Sequence, residues 1–141
     1  MEEKPKWLSV AEEELGTKEI AGPKSNPKID AYAVCTTLKA TSDEIAWCSS
    51  FVNWCMAQAG EMYTKSAAAR SWLDFGLVLD TPRVGCIVIL KRGNNPQSGH
   101  VGFYIGELAG GWIKVLGGNQ SDQVKYSNFH ASEVLGYRWP A

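Results

Sequence analysis

Gly99-His100-Val101-Gly102-Phe103-Tyr104-Ile105-Gly106 decides how the second half of this chain folds. The run is short, apolar, rich in β-branched and aromatic residues, and bounded by glycines, which is the pattern of a core strand. Three further runs read the same way: residues 85–91 with Ile87-Val88-Ile89-Leu90 at their centre, residues 112–116, and residues 134–139. Gly93-Asn94-Asn95-Pro96, Gly110-Gly111 and Gly117-Gly118-Asn119 punctuate them as turns. The segment from Tyr126 to Ser132 is polar and reads as a loop, which makes its His130 an exposed residue. Before residue 85 the period is helical. Trp7, Val10, Ala11, Glu14 and Leu15 stripe a first helix over residues 5–15, with Gly16 as its stop. Asn26-Pro27 caps a second helix running to about Cys35, after a loop marked by Gly22-Pro23. Thr41-Ser42-Asp43 offers caps for a third helix over residues 44–59, and a short helix is expected over residues 67–75. The third helix carries Trp47, Phe51, Val52, Trp54 and Met56 nearly all round, as a central buried helix does. Helices first and strands second, joined by hairpin-length turns, indicate an α+β domain with an antiparallel sheet.

The chain has 141 residues, which suits a single domain over residues 1–141 with one core. A net charge of −1 with no basic cluster argues against a nucleic-acid surface. The apolar runs are too short and interrupted for a membrane span. Met1-Glu2-Glu3-Lys4-Pro5-Lys6 lacks the apolar core of a secretory signal, so synthesis in the cytoplasm is expected. The four cysteines, Cys35, Cys48, Cys55 and Cys86, match no zinc-type spacing and are expected as reduced thiols. Cys48 and Cys55 stand seven residues apart on one helix, roughly 10 Å along its axis, too far to share one ion. No metal or cofactor is expected.

Chemistry points to two positions. Cys48 falls in the first turn of the central helix, where free backbone N–H groups and the helix dipole stabilise a thiolate and hold an oxyanion. The same residue also fits a small buried side chain on the face of Val52, Cys55 and Ala59. His100 opens a strand behind Gly99, where the ring can face a cleft, or serve only as an edge histidine. A thiol beside an imidazole is the minimal nucleophile and base for acyl transfer, and the chain holds only two histidines. A catalytic imidazole needs a partner for its second nitrogen. A hairpin of the two strands after residue 99 returns Asn119 towards His100, with Gln120 and Asp122 as neighbouring alternatives. Gly117-Gly118-Asn119-Gln120 also reads as nothing more than a turn.

Taken in order, Trp47-Cys48-Ser49-Ser50-Phe51-Val52, Gly85 to Val88, Gly99-His100-Val101-Gly102-Phe103-Tyr104 and Leu116-Gly117-Gly118-Asn119-Gln120 resemble the NlpC/P60 and CHAP group of cysteine peptidases. The likeness is strongest to its small phage-lysin and cell-wall hydrolase branch, and it spans residues 7–139. It implies a papain-like α+β fold with a helical N-terminal half packed on a C-terminal sheet. It also implies cleavage of peptidoglycan amide bonds in or next to the stem peptide, by an endopeptidase or an N-acetylmuramoyl-L-alanine amidase. On this resemblance Cys48 is the nucleophile, His100 the base and Asn119 the polar third residue. Trp47, Ser49, Tyr104, Gln120 and Asp122 are the expected substrate-binding positions, with Trp72 and Trp112 as further aromatic candidates for the cleft, though core packing explains Trp47 and Trp112 at least as well. The chain departs from the group at Gly117, where CHAP domains often carry Glu, and at Cys86, where many relatives carry Asp.

The expected partner is bacterial peptidoglycan, met by a monomer. Two contexts fit: a phage lysin released by a holin, or a secreted antibacterial effector with a cognate immunity protein that plugs the cleft. Either would act on the cell wall. The competing functions are a cysteine-dependent amidase or acyltransferase on another substrate, and a non-catalytic cell-wall binding module.

Overall fold

The computed structural model describes residues 4–18, 27–33, 47–66, 68–91, 99–121 and 123–140. The order is α1 (Lys6–Glu13), α2 (Pro27–Ala33), α3 (Cys48–Gln58), a 3-10 helix (Ala69–Asp74), β1 (Leu77–Leu79), β2 (Ile87–Lys91), β3 (Gly99–Leu108), β4 (Trp112–Gln120), β5 (Gln123–His130) and β6 (Val134–Trp139). The strands form one antiparallel sheet in the order β1-β6-β2-β3-β4-β5. This is the expected α+β arrangement, helices first and sheet second.

Two of the six strands were not expected. β1 is a three-residue edge strand, held only by pairing with β6. β5 replaces the expected loop around His130. It pairs with β4 along most of its length, Trp112 against His130 through Gly117 against Lys125. A polar segment reads as a loop, but an edge strand beside a buried one needs little apolar content of its own. The expected caps at Thr41-Ser42-Asp43, the loop before Pro27, the 93–96 turn and Cys35 lie outside the described residues.

The sheet is apolar on both faces. One face carries Ile87, Ile89, Val101, Phe103 and Leu116 against Trp7, Leu8, Ala11, Phe51, Val52, Cys55 and Met56 of the helices. The other gathers Cys86, Val88, Leu90, Tyr104, Ile113 and Val115 in a smaller core. α3 packs across β3 and β4, which explains why it is apolar nearly all round. Burial on one helix of that many side chains, at roughly 1.5–3 kcal/mol each, makes it the keel of the fold.

Polar ties secure the periphery. The Trp7 indole N–H donates to the Gly85 carbonyl at 2.7 Å. Glu14, buried just after α1, accepts from Tyr32 Oη at 2.8 Å and receives Lys28 Nζ at 2.9 and 3.0 Å. Burial, with Glu14 beside it, pushes the Tyr32 hydroxyl well above its ordinary range, so the group stays a donor. Arg138 donates to the Leu73 carbonyl from Nε and Nη2, fastening β6 to the 3-10 helix. Among the described residues no helix is long and apolar enough to cross a membrane.

Ser49 belongs to this framework, against the expectation that it binds substrate. It is fully buried; its hydroxyl donates to the Ser66 carbonyl at 2.7 Å and accepts the Trp72 indole N–H at 3.0 Å. One turn on, Asn53 donates to the Ser49 and Ser66 carbonyls and accepts the N–H of Lys65, a residue at φ 61°. The pair holds the 64–66 loop and the 3-10 helix against α3.

Two outcomes check these contacts. Ser49→Ala leaves the buried Trp72 N–H without its acceptor and the Ser66 carbonyl with Asn53 alone; it is expected to cost about 1–3 kcal/mol, read as a lower midpoint in urea unfolding. Gly118→Ala places a Cβ 2.5 Å from the Trp47 ring and 2.8 Å from Phe51 Cβ. Overpacking of that kind is expected to cost about 1–3 kcal/mol, measured the same way.

Candidate active site

β3 begins at Gly99, so His100 stands at the end of the sheet where β4 finishes. Its ring is 2% exposed and lies against Phe129 of β5, with ring centroids 5.3 Å apart. Nε2 lies 2.8 Å from Oε1 of Gln120. Nδ1 is buried and has no hydrogen-bond partner. An unpartnered buried ring nitrogen is costly unless something is meant to meet it.

Gln120 is itself 4% exposed. Its amide nitrogen donates to the Lys125 carbonyl at 2.6 Å and to the Val115 carbonyl at 3.3 Å. Two carbonyls on that side fix which way the amide points, because an oxygen there would face oxygens. The carbonyl end is therefore the end turned to His100.

The local backbone explains why Gln120 occupies this place. Pairing of β4 with β5 slips between Gly117 and Gln120, and Asn119 within the slip has φ 58°. Asn tolerates the left-handed region better than most residues. Such a bulge adds one residue to the strand and resets its alternation. Gly117 and Gln120 consequently face His100 together, and a Cβ built on Gly117 would sit 2.7 Å from Gln120 Oε1 and 3.4 Å from His100 Nε2.

Asn119 borders the same cavity without being the described partner of the imidazole. That cavity, about 250 Å³, is lined by His100, Asn119, Gln120, Ser121, Ser127, Asn128 and Phe129. Among the described residues, its lining apart from His100 is amides, hydroxyls and one aromatic ring. Asp122, the other alternative for the third role, lies outside the described residues.

Cys48 is the first residue of α3 and is 5% exposed. The helix starts without a side-chain cap at Trp47, whose carbonyl accepts the N–H of Phe51 at 2.9 Å. No disulfide engages Cys48, Cys55 or Cys86. Trp47 and Phe51 pack over Gly118 while His100 lies by Gly117, so the start of α3 and the imidazole meet the same stretch of β4. Among the described residues no cluster of His, Cys, Asp or Glu is placed to hold a metal ion.

The aromatic residues expected in the cleft divide. Trp47 and Trp72 are core residues of the helical face. Tyr104 lies in the smaller core, edge-on to Tyr137 at 5.9 Å, and is buried there rather than placed in the cavity. Trp112 is 45% exposed and borders a second cavity of about 290 Å³ with Leu108, Ala109 and Asn128. His130 packs edge-on to Trp112 at 5.4 Å, and its Nδ1 is held by Ser132.

Comparison with known proteins bears on the fold and the family. The chain superposes on the crystal structure of the wild-type endolysin LysIME-EF1 with a TM-score of 0.61 at 17% identity, over 95% of its own length. It spans 62% of the length of that endolysin. No curated protein matches. The CHAP domain family matches residues 40–119, which is more than half of the chain and includes Cys48, His100 and Asn119. By that match, and by the α+β fold it shares with an endolysin, the chain belongs to the CHAP domain family.

Proposed function

We propose that this CHAP domain is a peptidoglycan hydrolase that cleaves amide bonds in or next to the stem peptide, with Cys48 as nucleophile and His100 as base. The observation that carries the reading is the state of His100: buried, held through Nε2, and bare at Nδ1, beside the stretch of β4 on which the start of α3 packs. A base needs an unprotonated nitrogen that is not already hydrogen-bonded, and Nδ1 meets that need.

The chemistry is acyl transfer. His100 Nδ1 takes the proton of the Cys48 thiol, and the sulfur attacks the amide carbonyl. The oxyanion is held by first-turn N–H groups of α3, that of Cys48 among them. Collapse breaks the C–N bond, and the proton on Nδ1 passes to the leaving amine. Water then attacks the thioester, giving its proton to Nδ1, and the carboxylic acid leaves as the thiol is restored. The amides and hydroxyls around the cavity suit the carbonyls and N–H groups of a peptide. A phage-lysin role is the context favoured by the endolysin likeness, with the protein acting on the cell wall.

Digestion of purified peptidoglycan, with released fragments identified by mass spectrometry, tests this. Wild-type protein is expected to release fragments whose masses name the bond. Cys48→Ala and His100→Ala are each expected to lower the rate by ~10³-fold or more with the fold intact by circular dichroism. Equal release by Cys48→Ala and the wild type would remove Cys48 as nucleophile.

A further inference from the structure

We propose that Gln120 is the positioning residue of the His100 base, and that Gly117 is glycine because the Gln120 amide occupies the space a side chain there would need. The proposal deepens the hydrolase reading and rests on it for its catalytic meaning. It differs from the assignment of Asn119, which has the nearer match to the family pattern.

A neutral imidazole carries its proton on either ring nitrogen, and only one tautomer can act as base towards a given side. The Gln120 amide removes the ambiguity. Its nitrogen is committed to the carbonyls of Val115 and Lys125, so only its oxygen can face His100. That oxygen accepts, so Nε2 of His100 must carry the hydrogen across the 2.8 Å contact. The lone pair is then left on Nδ1, the nitrogen with no partner. The two backbone carbonyls of β4 and β5 thus dictate, through one side-chain amide, which nitrogen of His100 is basic.

The amide has no freedom to move aside. A long flexible side chain ordinarily yields to a new methyl group by a change of rotamer, but this one is tied at its far end by two hydrogen bonds. A Cβ on Gly117 would stand 2.7 Å from Oε1, well inside contact distance. Alanine at that position must push the oxygen off the imidazole or pull the nitrogen off its carbonyls. The backbone of Gly117 does not need glycine, since its φ is not in the left-handed region. The space is what excludes a side chain. Gly117 and Gln120 therefore act as one unit, and a residue with a side chain at 117 demands a different residue at 120.

The test reads the tautomer and the kinetics separately. Nitrogen-15 NMR of the imidazole at a pH where it is neutral is expected to show the Nε2–H form in the wild type, with no substrate present. Gln120→Met keeps the length and packing of the side chain without the amide. It is expected to give a mixture of tautomers and a fall in kcat of about 10–100-fold on peptidoglycan, with KM within about twofold. Gly117→Ala, which leaves Gln120 in place, is expected to disturb the tautomer in the same direction. A wild-type imidazole protonated on Nδ1 would overturn the proposal whether or not the variants fold. So would a folded Gln120→Met protein that keeps both the Nε2–H form and its kcat. If the wild type shows the Nε2–H form but releases nothing from peptidoglycan, the hydrolase reading fails while the positioning of His100 by Gln120 stands.

Discussion

Gly117 and Gly118 of β4 have no room for a side chain, one on each face of the strand. On one side of Gly118 the Trp47 ring and Phe51 lie within 3 Å of where a Cβ would be, and on the other side of Gly117 sit Gln120 and His100. Two elements from distant parts of the chain therefore come to the same two residues: the start of α3 from above and the start of β3 from beside. Close packing of this sort leaves little slack, because interiors are as dense as organic crystals and a single methyl group is felt. The packing of the start of α3 and that of the imidazole both depend on those two residues being glycine.

Around that contact the molecule divides its labour. The helical face of the sheet carries the larger core, which supplies most of the apolar burial. The other face carries a smaller core, and the cavity of His100 lies where β3 begins and β4 ends. Polar side chains that are buried in α3 do not serve the cavity. Ser49 and Asn53 hold loop and 3-10 helix to the keel, which fixes α3 and hence Cys48 in place. One set of buried hydrogen bonds thus holds α3, and another, through Gln120, holds the imidazole.

The elements with strong apolar signatures were legible from the sequence. α1, β2, β3 and β6 lie where periodicity and turn residues put them, within the usual fraying at the ends, while α3 starts at Cys48 with Trp47 as its cap, four residues after the expected start. β1 and β5 were not legible, for related reasons. Both are edge strands, and an edge strand is held by backbone pairing with a neighbour, which leaves no period in its side chains. The aromatic residues were ambiguous for a different cause. Trp47, Tyr104 and Trp72 are amphipathic side chains that suit a cleft or a core equally, and only their neighbours decide between the two.

What the sequence determined by itself was the class of fold and the pair of residues worth suspecting. A thiol at a helix start and an imidazole at a strand start are local facts, set by caps, periods and glycines. The partner of that imidazole was decided only in three dimensions. Strict alternation along β4 would set Asn119 on the face of Gly117, but a bulge with Asn119 in the left-handed region turns Gln120 there instead. A one-residue slip of register leaves no trace in composition or spacing, because it is a property of how two strands pair. Which side chain touches His100 is for that reason a property of the pairing of β4 with β5, and was never written in the order of the residues alone.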